Sequence, residues 1–144
     1  MFEKHEIEYV LIGGMALYLH GMFRYTEDLD FMFLASTEQL ERIKNALYAA
    51  YQDEDILSLA PEDLSYPVIR YGAPNGVTID IMFKIGEYAD YKSLKPFSEK
   101  KIVHGKLIRV LSKQGLLFLK EKSLRPNDRQ DVIWLKRHLS HQLP

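Results

Sequence analysis

Cysteine is absent from all 144 residues. Disulfides and thiolate-ligated zinc are thereby excluded, and the composition carries the expectation of a reducing, cytoplasmic setting. No apolar run approaches the ~20 residues a helix needs to cross a membrane. The opening residues Met1–Glu6 lack the basic-then-apolar order of a signal peptide. The eight glycines form neither the Gly-Lys-Ser/Thr ending of a Walker loop nor the Gly-x-Gly-x-x-Gly of a dinucleotide-binding turn. Repeats, low-complexity tracts and linkers of domain-separating length are also missing. The length therefore predicts one domain over 1–144 with a real core.

Charge is present but unevenly placed. Residues 1–83 carry 5 Lys and Arg against 14 Asp and Glu, a balance of −9; residues 84–144 carry 14 against 6, a balance of +8. The basic half is suited to face phosphates that the acidic half repels, and the two halves also neutralise one another when packed together.

Hydrophobic periodicity places the elements. Glu8–Ile12 reads as a buried strand, Met15–His20 as one or two helical turns with Gly21 as the stop, and Asp28–Leu34 as a second strand. Ser36–Gln39 has capping-box form and opens a helix whose apolar face is Leu40, Ile43, Leu47 and Ala50. Asp53–Asp63 reads as an acidic loop. Pro67–Tyr71 and Val77–Phe83 flank a hairpin turn at Pro74, Asn75 and Gly76, and Lys101–Val103 and Lys106–Leu111 flank a second at His104 and Gly105. Residues 84–98 carry no clear pattern. Two helices close the chain, one from Ser112 to about Leu124 and one capped by Asn127 and running to about Leu139. This order predicts an α/β (α+β) domain: a mixed β-sheet at about 8–111 with flanking helices, and C-terminal helices at about 112–139 packed on the core.

The chemistry concentrates in three acids. Side chains alternate along a strand, so Asp28, Asp30 and Met32 share one face while Leu29, Phe31 and Phe33 take the other. In the later strand Thr78, Asp80 and Met82 oppose Ile79, Ile81 and Phe83 in the same way. If these strands pair, three carboxylates converge and repel, and Mg²⁺ or Mn²⁺ is the natural compensation because hard cations take carboxylate oxygens. Two such ions roughly 3.5–4 Å apart activate an attacking hydroxyl and stabilise a leaving pyrophosphate. Upstream, Gly13 and Gly14 follow an apolar strand and precede a helix, where bare backbone can approach a phosphate closely. A plain tight turn would use the same two glycines.

At these residues the chain resembles the DNA polymerase β-like nucleotidyltransferase superfamily. That group places Gly-Gly or Gly-Ser after an apolar strand, Asp-x-Asp on the next strand and a third Asp on a later one. Within it, the run from Gly13 and Gly14 through His20, Gly21, Arg24 and Thr26 to Asp28 and Asp30 is similar to the nucleotidyltransferase toxins of type IV toxin–antitoxin systems. Lys120, Arg125, Asp128 and Asp131 loosely follow that group's C-terminal pattern. The resemblance implies transfer of a nucleoside monophosphate from an NTP such as ATP to a hydroxyl or phosphate acceptor on RNA, protein or a small molecule. It implies Asp28, Asp30 and Asp80 as catalytic metal ligands, with Asp80 helping to deprotonate the acceptor. It implies Gly13 and Gly14 along the triphosphate. Gly14 stands where many members have serine, so a hydroxyl contact to phosphate is missing. The short chain leaves the acceptor to a small surface, a second protomer or a cognate partner protein.

Other residues have more than one reading. Arg24 could fork onto a phosphate or pair with Asp28 or Glu27, and Thr26 beside it is a further candidate for nucleotide binding. Lys120 and Arg125 are either nucleotide or acceptor contacts or solvated helix charges, and Asp128 favours the last helix N-terminus. His20 is expected to pack beside Gly21, His104 to sit in a turn, and His138 and His141 to lie at the surface. Trp134 with Val132, Leu135 and Leu139 reads as helix core. Tyr66, Tyr71 and Tyr88 are the tyrosines to consider for base stacking. No DNA-specific motif is present. Haloacid-dehalogenase-like phosphatases fit less well, because Met32 stands where they have Thr or Val. Metal-dependent glycosyltransferases need a larger fold. The rival reading of a different class is a catalytically silent module that binds a nucleotide or regulates a partner.

Overall fold

A computed structural model describes residues 1–23, 26–123 and 125–140. Its centre is a six-stranded mixed sheet built from β1 (Tyr9–Ile12), β2 (Asp28–Phe33), β3 (Ile69–Gly72), β4 (Thr78–Met82), β7 (Ser98–Val103) and β8 (Lys106–Leu111). The strand order is β3-β4-β2-β1-β8-β7. β1 runs antiparallel to β2 and parallel to β8, and β2 runs parallel to β4. The two predicted hairpins close the edges: β3 with β4, and β7 with β8. His104 and Gly105 both adopt left-handed backbone, at φ 51 and 77°, as a two-residue turn between twisted strands requires.

Among the described residues five helices accompany the sheet: α1 (Gly13–Leu19), α2 (Thr37–Tyr51), α3 (Tyr91–Leu94), α4 (Lys113–Glu121) and α5 (Pro126–Ser140). The unpatterned stretch 84–98 forms a small two-stranded ribbon, β5 (Lys84–Ile85) with β6 (Ala89–Asp90), then α3 and one 3₁₀ turn. The acidic segment expected as a loop is two 3₁₀ turns, Glu54–Ser58 and Pro61–Ser65. Among the described residues no helix is long and apolar enough to cross a membrane.

Three local expectations need correction. The predicted capping box of α2 is only half formed. Ser36 accepts from Gln39 N, but the Gln39 side chain instead accepts from Glu8 N at 2.9 Å and ties α2 to the start of β1. The last helix begins at Pro126, so Asn127 lies inside it and is not its cap. Proline suits a first helical turn, whose N–H groups have no intrahelical acceptor. The glycine pair is not a loop ahead of the first helix, because Gly13 and Gly14 are its first two residues.

One continuous core runs from Phe2 to Leu135. On the face of β2 opposite the acids, Phe31 and Phe33 meet Phe2 edge-on, with ring centroids 4.9 and 5.4 Å apart. Such pairs contribute about 0.5–1.5 kcal/mol each beyond their burial. On the acid face Met32 is fully buried, so this face is open only at the N-terminal half of β2.

Candidate active site

Register decides which side chains meet. Ile12 pairs with Asp30, Asp30 with Asp80, and Asp80 with Arg70. These four residues cross β1, β2, β4 and β3 in one row on one face, with neighbouring strands about 4.8 Å apart. Asp28 lies two residues before Asp30 on the same face and is half-exposed.

The row carries an acid pair, with Asp80 buried and Asp30 partly buried. Asp80 is only 6% exposed. Burial, together with the hydrogen bond and charge of Asp80 and the charge of Asp28, pushes the Asp30 carboxyl up to about 7, against an opposing pull from Lys120. Asp80 is held below the usual carboxylate range, first by its hydrogen bonds from Arg70 and also by Asp30, with burial working against them. The two therefore behave as a coupled dyad in which ionisation of Asp30 is disfavoured and that of Asp80 favoured.

Arg70 is the residue that sequence reasoning missed. Its Nε donates to Asp80 Oδ1 at 2.9 Å and its Nη2 to Asp80 Oδ2 at 3.1 Å, while Nη2 stands 4.0 Å from Asp28 Oδ2. The signal was available in principle. Counting outward from the turn at Ala73–Val77 puts position 70 opposite position 80, and Ile69 and Tyr71 on either side mark Arg70 as facing the acids.

Gly13 shapes the other wall. Its φ is +75°, and a Cβ placed there would lie 2.2 Å from Asp30 Oδ2. Only glycine combines that backbone with that approach. We predict that Gly13→Ala displaces the Asp30 carboxylate and costs about 1–3 kcal/mol through left-handed strain and overpacking. Denaturant unfolding checks this, and an unchanged midpoint would refute it.

The remaining predicted residues divide. Arg24 and His141 lie outside the described residues. The Thr26 hydroxyl is spent on the backbone of Asp28, accepting from its N at 3.3 Å and donating to its O at 3.4 Å, so it shapes the entry to β2. Lys120 is not a solvated charge. It is 8% exposed and its Nζ bridges Asp128 at 2.8 Å and Asp131 at 3.3 Å, both nearly fully buried. Exposed Arg125 donates to the second Asp128 oxygen at 3.0 Å. Asp128 is therefore an ion-pair partner before it is a helix-terminal charge.

His20 holds Leu111 O through Nε2 at 2.8 Å, and His138 stacks on Trp134 at 3.8 Å. Tyr71 donates to Asp53 at 2.9 Å, which ties it down, whereas Tyr66 is exposed. Part of the basic half does reach this end of the sheet. β1 and β8 are parallel, so Lys113 follows β8 where Gly13 follows β1. Lys101 and Lys113 line a polar cavity of about 310 Å³ there, beside His20.

Among the described residues no three acidic or histidine side chains already stand as a metal-ligand set. Both Asp80 oxygens are taken by Arg70. The donor chemistry nonetheless suits a hard divalent cation: carboxylate oxygens from two adjacent strands, one of them burdened by repulsion and already drawing a cation onto its neighbour.

Residues 1–95 match the sequence profile of the AbiEii nucleotidyl transferase toxins of type IV toxin–antitoxin systems. The chain belongs to that family. Solved structures agree on the fold. A lincosamide antibiotic adenylyltransferase, solved with lincomycin bound, superposes with TM-score 0.57 at 18% identity, over 94% of this chain and 89% of that one. An antigenic nucleotidyltransferase-like protein from Paracoccidioides brasiliensis gives TM-score 0.56 at 16% identity, over 93% and 69%. A Thermotoga maritima protein described as a putative nucleotidyltransferase gives 0.51 at 18% identity, over 95% and 84%. No curated protein matches significantly. The AbiEii match spans β1, α1, β2 and β4, the elements that carry Gly13, Asp28, Asp30 and Asp80.

Proposed function

We propose that this AbiEii-family chain is an active, Mg²⁺- or Mn²⁺-dependent enzyme that moves a nucleoside monophosphate from an NTP to an acceptor hydroxyl or phosphate. The observation that carries the reading is the Asp30–Asp80 dyad with Asp28 beside it. A partly buried, mutually repelling acid pair costs stability and is useful where a cation or a proton is to be received. Asp28, Asp30 and Asp80 would hold the metal, which when bound polarises the α-phosphate and offsets charge on the leaving pyrophosphate. With a hydroxyl acceptor, the oxygen bonds to the α-phosphorus as the bond to the β-phosphate oxygen breaks. The hydroxyl proton passes to a carboxylate of the dyad. Gly13 and Gly14 expose backbone to the triphosphate, and buried Lys120 contributes positive potential felt at Asp30. Lys101 and Lys113 offer positive charge for an acceptor that bears phosphates, such as RNA.

The family's description supports a toxin role with a cognate antitoxin as partner, and a cytoplasmic setting is part of the same proposal. The test is label transfer from each α-³²P-NTP, with Mg²⁺ or Mn²⁺, onto total RNA, tRNA and protein fractions, with Asp28→Ala alongside. Label that requires Asp28 is the expected result and identifies the base and the acceptor class together. Equal labelling by Asp28→Ala would remove the assignment. Absence of label together with absence of metal and NTP binding would favour a silent regulatory module.

A further inference from the structure

Arg70 has an environment that neither hairpin stability nor solubility demands. It sits on β3, an edge strand of the sheet. Ile69 and Tyr71 pack inward on the opposite face and hold the strand, with Tyr71 further fixed by Asp53. Arg70 alone of the three projects onto the acid face, where its planar fork takes both oxygens of Asp80 and reaches toward Asp28. Its side chain is 67% exposed. The guanidinium can therefore rotate away without opening the core, and no other side chain among the described residues holds it in place.

A divalent cation drawn to the Asp80 oxygens meets this guanidinium there, and two positive charges a few ångströms apart repel. The same fork geometry that fits a carboxylate fits a phosphate. Resting on the nucleotidyltransferase reading above, we propose that Arg70 is the resident counter-cation of the acid cluster, displaced from Asp80 and Asp28 by the divalent metal and released to bind the phosphates of the incoming nucleotide. Arg70 is then a binding residue that works in sequence: it shields the acid cluster in the free protein and grips the nucleotide in the loaded one.

This ordering predicts effects of opposite sign from one substitution. Mn²⁺ binding to the intact chain without nucleotide, followed by electron paramagnetic resonance at pH 8, should tighten about five- to tenfold in Arg70→Gln, because the competing cation is gone. Binding of α,β-methylene-ATP in saturating Mg²⁺ should weaken by about fivefold or more in the same variant, because a charge-assisted fork to phosphate is lost. Arg70→Lys keeps the charge without the fork and should fall between on both measurements. A merely structural role would move both affinities in the same direction or neither, and circular dichroism of each variant shows that the fold persists. Unchanged or weaker Mn²⁺ binding by Arg70→Gln, beside measurable binding by the unaltered chain, would overturn the role of Arg70 and leave the enzyme reading standing. Failure of both chains to bind Mn²⁺ would overturn the metal site itself, and the Arg70 proposal with it.

Discussion

Asp30→Asn is expected to lower nucleotidyl transfer on the order of 10³-fold, the scale of losing one pre-organised electrostatic contact to a reacting phosphate, while leaving the fold intact and more heat-stable. The two effects have one origin. Asp30 is partly buried, pairs in register with Asp80 and sits two residues from Asp28, so its ionised form is disfavoured in the folded protein. The sign follows from that shift: a carboxyl raised to about 7 from 3.8 binds its proton more tightly when folded, so its ionisation draws on stability as pH rises from about 4 to 7. The neutral amide removes that cost and can donate a hydrogen bond to Asp80. A gain of about 1 kcal/mol, or roughly 3 °C in Tm, is the expected minimum at pH 8. Label transfer and thermal unfolding of the same preparation check both halves. Full activity would discard the acid site, and a lowered Tm would discard the repulsion argument.

Lys120→Met should be the most damaging substitution for stability, at about 3–5 kcal/mol, the usual cost of stripping one partner from a buried ion pair. Lys120 is nearly buried between Asp128 and Asp131, which are 2% and 1% exposed, and this bridge joins α4 to α5. Burial would raise the Asp128 carboxyl, but hydrogen bonds from Lys120, Ser123 and Arg125 overcome it and hold the group at about 2. Because that folded value lies below 3.8, the stabilisation is fully present above pH 4 and is lost as pH falls toward 2. It amounts to about 2 kcal/mol. Urea unfolding at pH 7 and pH 3 should show the variant's deficit shrinking with acid. Adding Asp128→Asn and Asp131→Asn to Lys120→Met should recover much of the loss, since no buried charge is then left alone. A deficit under 1 kcal/mol at pH 7 would show the bridge to be dispensable.

Local signals account for much of what was legible. The alternation in Asp28–Phe33 and Thr78–Met82 marked two strands that each put acids on one face, and the structure sets Asp30 directly beside Asp80. Pro74, Asn75 and Gly76 announced one hairpin, and His104 and Gly105 the other. Ser112 was read as the start of α4 and accepts from Gly115 N there. Where local signals compete, the reading failed. Gln39 preferred the Glu8 backbone to its own helix cap, because a backbone donor at the start of β1 needed an acceptor. Pro126 displaced Asn127 from the helix terminus. Residues 84–98 have no period because they fold as a ribbon, a turn of helix and a 3₁₀ turn in quick succession.

The sequence by itself determined the six strands of the main sheet, the four longer helices, their apolar faces and the family motif, since these depend on spacings of two to four residues and on short turn chemistry. Tertiary structure alone decided that β2 and β4 are parallel neighbours, that Lys120 is buried against two acids, and that Gly13 stands against Asp30. Each of these joins residues on different elements. Which of these charges meet, and how far burial strengthens their interaction, is set by the register of strands far apart in the chain and by helix packing, and no one-dimensional pattern records either.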